Sequence, residues 1–168
     1  EGIAISDWAL RSIAREGEGS MRDSQTLLDQ VVAYAGTTVS DETVRGVLDL
    51  VDRRVLHTIV EACIASDPAA ALAACALAMQ SGSEARRIST SLVELLRDLV
   101  VLGIAPTAEG LVEGSAEELA ELRALAARSE TTRLRRMFRV LVKEQEDLAW
   151  APQPFAVLEM TLVRLATL

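Results

Sequence analysis

The feature that most constrains this chain is a repeated spacing. Apolar residues recur at i, i+3, i+4 and i+7 in segment after segment, and Gly, Pro, Ser and Asp stand between the segments. Val44, Val47, Leu48 and Val51 show the period plainly. A stripe of this kind lines one face of an α-helix, and a chain built only of such stripes has to bury them against one another. The residue choice agrees with the period. Half of the 168 residues are apolar, only 3% are aromatic, and Ala and Leu dominate, side chains that lose little entropy in a helix. The sequence predicts an all-α fold of about eight helices, with no strand and no fixed repeat of the solenoid type.

Capping residues set the expected boundaries. Ser6 or Asp7 starts a helix that buries Leu10, Ile13 and Ala14, and Gly17 and Gly19 break it. Ser20 caps the next, with Asp23 as its capping-box partner and Leu27, Leu28, Val31 and Ala35 inside, up to Gly36. Ser40 opens a third helix through Val51, so residues 1–51 are expected to form a compact three-helix unit and residues 52–168 a larger helical bundle. In that bundle Leu56, Ile59, Val60, Cys63 and Ile64 form one stripe. Asp67-Pro68 restarts the chain for Leu72, Cys75, Ala76 and Met79, up to Gly82. A longer helix carries Ile88 to Val100, residues 103–114 form the longest loop, and Ser115 with Glu118 makes a full capping box. The last two helices hold Leu134, Met137, Phe138, Leu141 and Leu148, then Val157, Leu158, Leu162 and Leu165. Thr161 and Arg164 are expected on the flanks of the final stripe.

Several function classes are disfavoured at once. No apolar run nears the roughly 18 residues of a membrane span, and nothing resembles a signal peptide, so a cytoplasmic protein is expected. The formal charge of −8 repels phosphate backbones, so direct nucleic-acid binding by this chain is not expected. Cys63 and Cys75 sit within helical stripes as reduced core thiols. His57 is the single histidine and Lys143 the single lysine, and Lys143 is followed by Glu144. A histidine relay, a His-based metal site and a Walker A loop are therefore lacking, and neither a catalytic nor a metal-ligating residue is assigned. Glu109, Glu113, Glu117, Glu118 and Glu121 read as a solvated acidic face. Arg128, Arg133, Arg135, Arg136 and Arg139 read as surface cations, with a partner-binding stripe as the less favoured alternative. The N-terminal Glu-Gly-Ile-Ala-Ile-Ser lacks an initiator Met, which suggests a piece of a longer protein.

One stretch carries a chemical suggestion. Gly-Glu-Gly-Ser-Met-Arg-Asp, residues 17–23, sets Arg22 in the first turn of a capped helix beside two glycines. Free N–H groups and the positive end of the helix dipole favour an anion there. Arg22 can meet a phosphate held by another domain. The competing arrangement pairs Arg22 with Asp23 or Asp29, or leaves it in water.

The same stretch resembles the lid of the bacterial clamp-loader ATPase, the gamma and tau subunits of DNA polymerase III. The likeness lies in Ile5-Ser6-Asp7-Trp8-Ala9-Leu10, Ile13-Ala14-Arg15, Gly19-Ser20-Met21-Arg22-Asp23 and Leu27-Leu28-Asp29-Gln30. It returns at Leu158-Glu159-Met160-Thr161-Leu162-Val163-Arg164-Leu165, and less specifically at Leu95-Leu96-Arg97-Asp98-Leu99. The resemblance implies a three-helix AAA+ lid over residues 1–51 and a clamp-loader collar over residues 52–168. It gives Arg22 the role of second nucleotide sensor, touching ATP bound mainly by a preceding domain. ATP and magnesium would belong to the intact parent, with the phosphate loop, the zinc ligands and the arginine finger in that other domain. Implied partners are the delta and delta prime subunits, further gamma or tau copies, an accessory psi peptide and, through the whole complex, the sliding clamp and primed DNA. A free-standing helical adaptor or regulator without ATP coupling is the alternative. A helix-turn-helix DNA binder is disfavoured by the acidic balance and by the lack of a basic recognition helix.

Overall fold

The computed structural model describes residues 2–107 and 110–168. The chain divides into two compact units, Glu1–Leu50 and Val51–Leu168. Nine α-helices occur among the described residues, and the only β pairing is an isolated parallel bridge between Ala4 and Thr38.

The first unit holds α1 (Asp7–Glu16), α2 (Met21–Ala35) and α3 (Asp41–Val47). Ser6 is the cap of α1, and its hydroxyl accepts the Ala9 N–H at 3.0 Å. The buried row of α1 is Ala9 and Ile13, while Leu10 and Ala14 face solvent, so the expected stripe is rotated by about one residue. Trp8 explains the rotation. Its ring packs beside the core under the Arg45 guanidinium, 4.5 Å from the ring centre, and the small Ala9 lets the helix approach at that phase. The core is completed by Val31, Val39, Val44 and Leu48. Helix α3 ends sooner than the period suggests. Asp49 takes a left-handed φ of +52°, and Asp52 caps the next helix, so Val51 lies outside α3 and packs with the core of the second unit. The nine helices are the nine segments that the caps and stripes mark out, one more than the round figure of about eight.

The second unit comprises α4 (Arg53–Ile64), α5 (Pro68–Gln80), α6 (Ala85–Ile104), α7 (Ala116–Ala126), α8 (Thr131–Trp150) and α9 (Pro154–Ala166). Helix α6 is the central element: α7 and α8 pack along it, and α4 and α9 also touch it. Its Ile88, Leu92, Leu96 and Leu99 are all but fully buried, together with Leu134, Met137 and Leu141 of α8 and Leu158 and Leu162 of α9. Proline suits the start of α5, where Asp67 accepts the Ala70 N–H at 2.9 Å. The face that α5 buries differs from the expected one. Ala71, Ala74, Cys75 and Ala78 point inward, Leu72, Ala76 and Met79 are half-buried, and Leu77 is 59% exposed. This helix is apolar all round, so its period does not fix its phase. The alanine side wins because it allows α4 and α9 to come close. Thr161 is buried, its hydroxyl donating to the Val157 carbonyl at 2.8 Å, so it belongs to the core rather than to a flank. No helix is long and apolar enough to cross a membrane among the described residues.

Candidate functional site

The turn between α1 and α2 is built tightly. The Gly17 N–H donates to Ile13 O at 3.0 Å, and the Ser20 N–H donates back to Gly17 O at 2.8 Å. Gly17 is buried against α2: a Cβ there would meet Ser24 Oγ at 2.1 Å and Ser24 N at 2.9 Å. Gly19 has φ +81°, a left-handed conformation that a side chain would strain. Ser20 then caps α2, its hydroxyl accepting the Asp23 N–H at 3.2 Å. Among the described residues the reciprocal bond of a capping box is formed at Ser115 and Glu118 but not at Ser20 and Asp23. An aspartate is one methylene too short to reach back as a glutamate does.

Arg22 follows in this first turn with its side chain in solvent. It forms no ion pair with Asp23 or Asp29 among the described residues. Its main-chain carbonyl accepts the Thr26 hydroxyl at 3.0 Å. A free guanidinium thus stands at the positive end of a 15-residue helix, on a turn whose backbone is fixed by close packing. That arrangement fits an anion. It does not fit a metal, and no three His, Cys, Asp or Glu side chains come together as a metal site among the described residues.

The second unit contains polar networks that act on structure. Arg53 pairs with Glu118 at 2.5 Å, and Glu118 accepts the Ser115 N–H at 2.8 Å, joining the starts of α4 and α7. Burial pushes the Glu118 carboxyl up, but the Ser115 and Arg53 hydrogen bonds and the Arg53 charge outweigh it and hold the group below its ordinary range. Of the acidic face read from the sequence, Glu118 is therefore an ion-paired cap and not a solvated residue. Glu117 and Glu121 are exposed, and Glu109 lies outside the described residues. His57 is half-buried, and its Nε2 accepts from Arg53 Nε at 3.4 Å. Burial and then the Arg53 charge lower its pKa, against the opposing carboxylates of Glu121, Glu61 and Glu118.

The arginines of α8 separate into two groups. Arg128, just before the helix, pairs with Glu61. Arg133 reaches across to the end of α4, donating to Ile64 O at 2.8 Å, Cys63 O at 3.0 Å and Ser66 Oγ at 2.9 Å. Arg135, Arg136 and Arg139 face solvent. Sequence reasoning missed the Arg133 cap. It also missed Arg97, which donates to Leu111 O at 2.8 Å and pins the long loop to α6. A cleft of about 710 Å³ opens between the end of α8 and α9, lined by Glu144, Asp147, Pro152, Val157, Met160 and Arg164, among others. Arg164 is turned back within it and pairs with Glu144 at 2.8 Å.

Comparison with known proteins decides the family. The profile described as DNA polymerase III subunits gamma and tau domain III matches residues 39–168. The chain belongs to the gamma and tau subunits of DNA polymerase III. A second profile, DNA polymerase III clamp loader subunit, ATPase lid domain, matches residues 1–37. Among curated relatives, the DNA polymerase III subunit gamma/tau of Mycobacterium tuberculosis (strain ATCC 25618 / H37Rv) is 33% identical over 168 residues. The alignment covers 98% of this chain and 29% of that protein. The DNA polymerase III subunit tau of Escherichia coli (strain K12) is 30% identical, covering 98% of this chain and 25% of that protein. The tau subunit of Bacillus subtilis (strain 168) is 22% identical over 165 residues, 98% of this chain and 29% of its own. The chain thus spans between a quarter and three-tenths of the length of these gamma and tau relatives.

Proposed function

We propose that residues 1–51 serve as the lid of an AAA+ ATPase module, residues 52–168 as the collar that holds clamp-loader subunits together, and Arg22 as the residue that reads bound ATP. One observation carries the sensor reading: Arg22 is an exposed cation without an ion pair among the described residues, in the first turn of α2, on a turn fixed by Gly17 and Gly19. The match of residues 1–37 to an ATPase lid supports it. Bound ATP supplies the phosphate charge. Arg22 contributes a charge-assisted donor to that phosphate, and the rigid turn transmits its position to α1 and α2. Lid orientation would then follow nucleotide state. The separate core of Val51–Leu168 supports a collar that stays folded while the lid moves.

In the parent, this arrangement serves ATP-driven loading of the sliding clamp on primed DNA. The partners are delta, delta prime, further gamma or tau copies and a psi-type peptide. Magnesium, like most of the ATP contact, is held outside this chain.

The test is Arg22→Ala in the full-length protein. A hydrogen bond to a charged group contributes about 1.5–3 kcal/mol, so ATP affinity should fall by roughly 10- to 150-fold. ATP-dependent clamp loading should fall with it, and the circular dichroism melt should stay unchanged. Wild-type nucleotide affinity in the variant would remove Arg22 from the site.

A further inference from the structure

Helix α7 is held to the second unit in two different ways. Its later half buries Leu122, Leu125 and Ala126 in the core, along α6. Its first turn buries no side chain fully. Ala116 and Glu117 are exposed, Glu118 is half-buried, and Leu119 leans on the core without entering it. The tie from this turn to α4 is the Glu118 carboxylate. One of its oxygens accepts the Ser115 N–H at 2.8 Å, and the other pairs with Arg53 at 2.5 Å. The pair serves α4 as well, because Arg53 and Arg54 stand in the first turn of that helix, where the dipole opposes cations.

The hold of Arg53 on Glu118 is conditional. Arg53 Nε donates to His57 Nε2 at 3.4 Å, one turn along α4. That bond needs the neutral ring with its proton on Nδ1, since a protonated imidazole has two donors and no acceptor. His57 thus steadies the guanidinium from the side away from Glu118, and it is the chain's single histidine, the side chain whose ordinary titration lies between pH 5 and 8. The charges that act on the ring come from two helices: Arg53 and Glu61 of α4, and Glu118 and Glu121 of α7. Helix α5, which also packs on α4, carries no charged residue. Glu61 is engaged by Arg128, and Glu118 by Arg53 and Ser115. A proton on the ring removes the Arg53 bond and sets an imidazolium beside a guanidinium. It also draws Glu121, whose pull exceeds that of Glu61 or Glu118. The carboxylates do not compensate: burial of the ring, and then the Arg53 charge, prevail against the charged form. The ring therefore charges when Arg53 withdraws from it, and Arg53 then leaves Glu118.

We infer that Arg53, His57 and Glu118 form a proton-controlled latch between α4 and α7: neutral His57 keeps the first turn of α7 closed on α4, and protonated His57 releases it. The rest of the unit stays packed, because Leu122, Leu125 and Ala126 lie in the core and owe nothing to the latch. The loop before α7 also keeps its anchors, with Arg97 on Leu111 O and Arg123 on Pro106 O. What opens is the turn that Ser115 caps, a local transition of the kind that amide exchange resolves from global unfolding.

The test is hydrogen exchange of the 168-residue chain, whose two units each enclose their own core. Opening constants for the amides of Leu119 to Leu122, corrected for intrinsic exchange, are followed from about pH 7.5 to about pH 5.5, where His57 titrates. Glu118 is held below 4.5, so its own titration falls outside that window. In the wild type the opening constant should rise roughly two- to fivefold as pH falls. That is the scale of one ion pair whose side chains are 40% and 31% exposed. His57→Gln keeps an acceptor for Arg53 Nε and does not titrate, so its first turn should stay closed throughout. Arg53→Met has no pair to release, so its first turn should be open to a similar degree at every pH. A cooperative dichroism melt at pH 7.5 establishes that each variant is folded. A wild-type opening constant that stays level across the window overturns the latch. So does a rise of wild-type size in His57→Gln, which would place the proton elsewhere, or in Arg53→Met, which would take Arg53 out of the link.

Discussion

Replacing Arg133 with methionine tests whether the second unit depends on one side chain to finish a helix. Helix α4 stops at Ile64 with Ala65 as its cap, has no basic residue in its last turn, and passes into Ser66 at φ +58°. Ser66 closes the helix through the main chain, its N–H donating to Cys63 O at 3.2 Å and the Asp67 N–H to Ala62 O at 2.9 Å, and the Arg133 guanidinium adds bonds of 2.8–3.0 Å to Ile64 O, Cys63 O and Ser66 Oγ. A bond from a charged donor contributes about 1.5–3 kcal/mol, and a cation at a helix C-terminus about 0.3–1 kcal/mol more. The bonds share one guanidinium and are not additive. The site is half-buried, so water re-solvates some of the carbonyls, and the buried Arg133 Nε has no acceptor of its own. A net loss of about 2–4 kcal/mol follows. Methionine keeps the apolar stem, so the change isolates the head group. Urea denaturation followed by dichroism should show the midpoint falling with little change in slope, and the melting temperature dropping by roughly 10 °C. Arg133→Lys should recover only part of the loss, because one ammonium cannot span two carbonyls and Ser66 Oγ as the planar fork does. A methionine variant that melts within about 1 °C of wild type would show that water caps α4 equally well.

Three other expectations follow from the same core and networks. Leu162→Asp places an unpaired carboxylate in a fully buried position of α9 and should abolish the cooperative melt of the second unit. A retained native melt would mean that α9 is dispensable to the core. Stability should fall on acidification in two stages. His57 is held below its ordinary value of 6.5, so the stability tied to its neutral form is complete above that pH and is lost as pH falls through the lowered value. Glu118 is held below 4.5, so its contribution is present above that pH and is lost as pH falls further. Glu118→Gln should remove the second stage from a series of melts against pH, and an unchanged profile would discount the Arg53–Glu118 link. Burial pushes the Cys63 thiol up to about 12 and the Cys75 thiol up to about 11. A thiolate-directed reagent at pH 8 should label neither in the folded chain and both after denaturation. Rapid labelling of native protein would contradict the packing of α4 and α5.

The sequence disclosed most where a residue's local chemistry has one structural meaning. Ser6, Ser20, Ser40, Asp67 and Ser115 each cap the helix they announce, because a short polar side chain ahead of an apolar stripe has few other uses. Gly17 and Gly19 end α1 as the local chemistry requires. Arg22 was legible as a cation in a first turn, though the sequence alone could not tell whether Asp23 or Asp29 would occupy it. Phase was harder to read. Helix α5 is apolar on every side, so any rotation satisfies its period, and only the fit of its alanines against α4 and α9 selects one. Helix α1 was misphased for a related reason, since Arg45, on a helix far along the chain, holds the Trp8 ring.

What stayed hidden are bonds between residues far apart in the chain. The end of α4 has no glycine and no lysine or arginine in its last turn, and nothing in the sequence says which of the 17 arginine and lysine residues, or which water, meets its last carbonyls. The answer depends on α8 crossing that end, which is a property of the bundle and not of either helix. The same holds in reverse for α8. Its arginines look alike as a run of amphipathic cations, yet packing assigns Arg133 to the α4 carbonyls and leaves Arg135, Arg136 and Arg139 outside. Packing, and not the run of residues along α8, sorts these cations into those that hold the fold and those that face solvent.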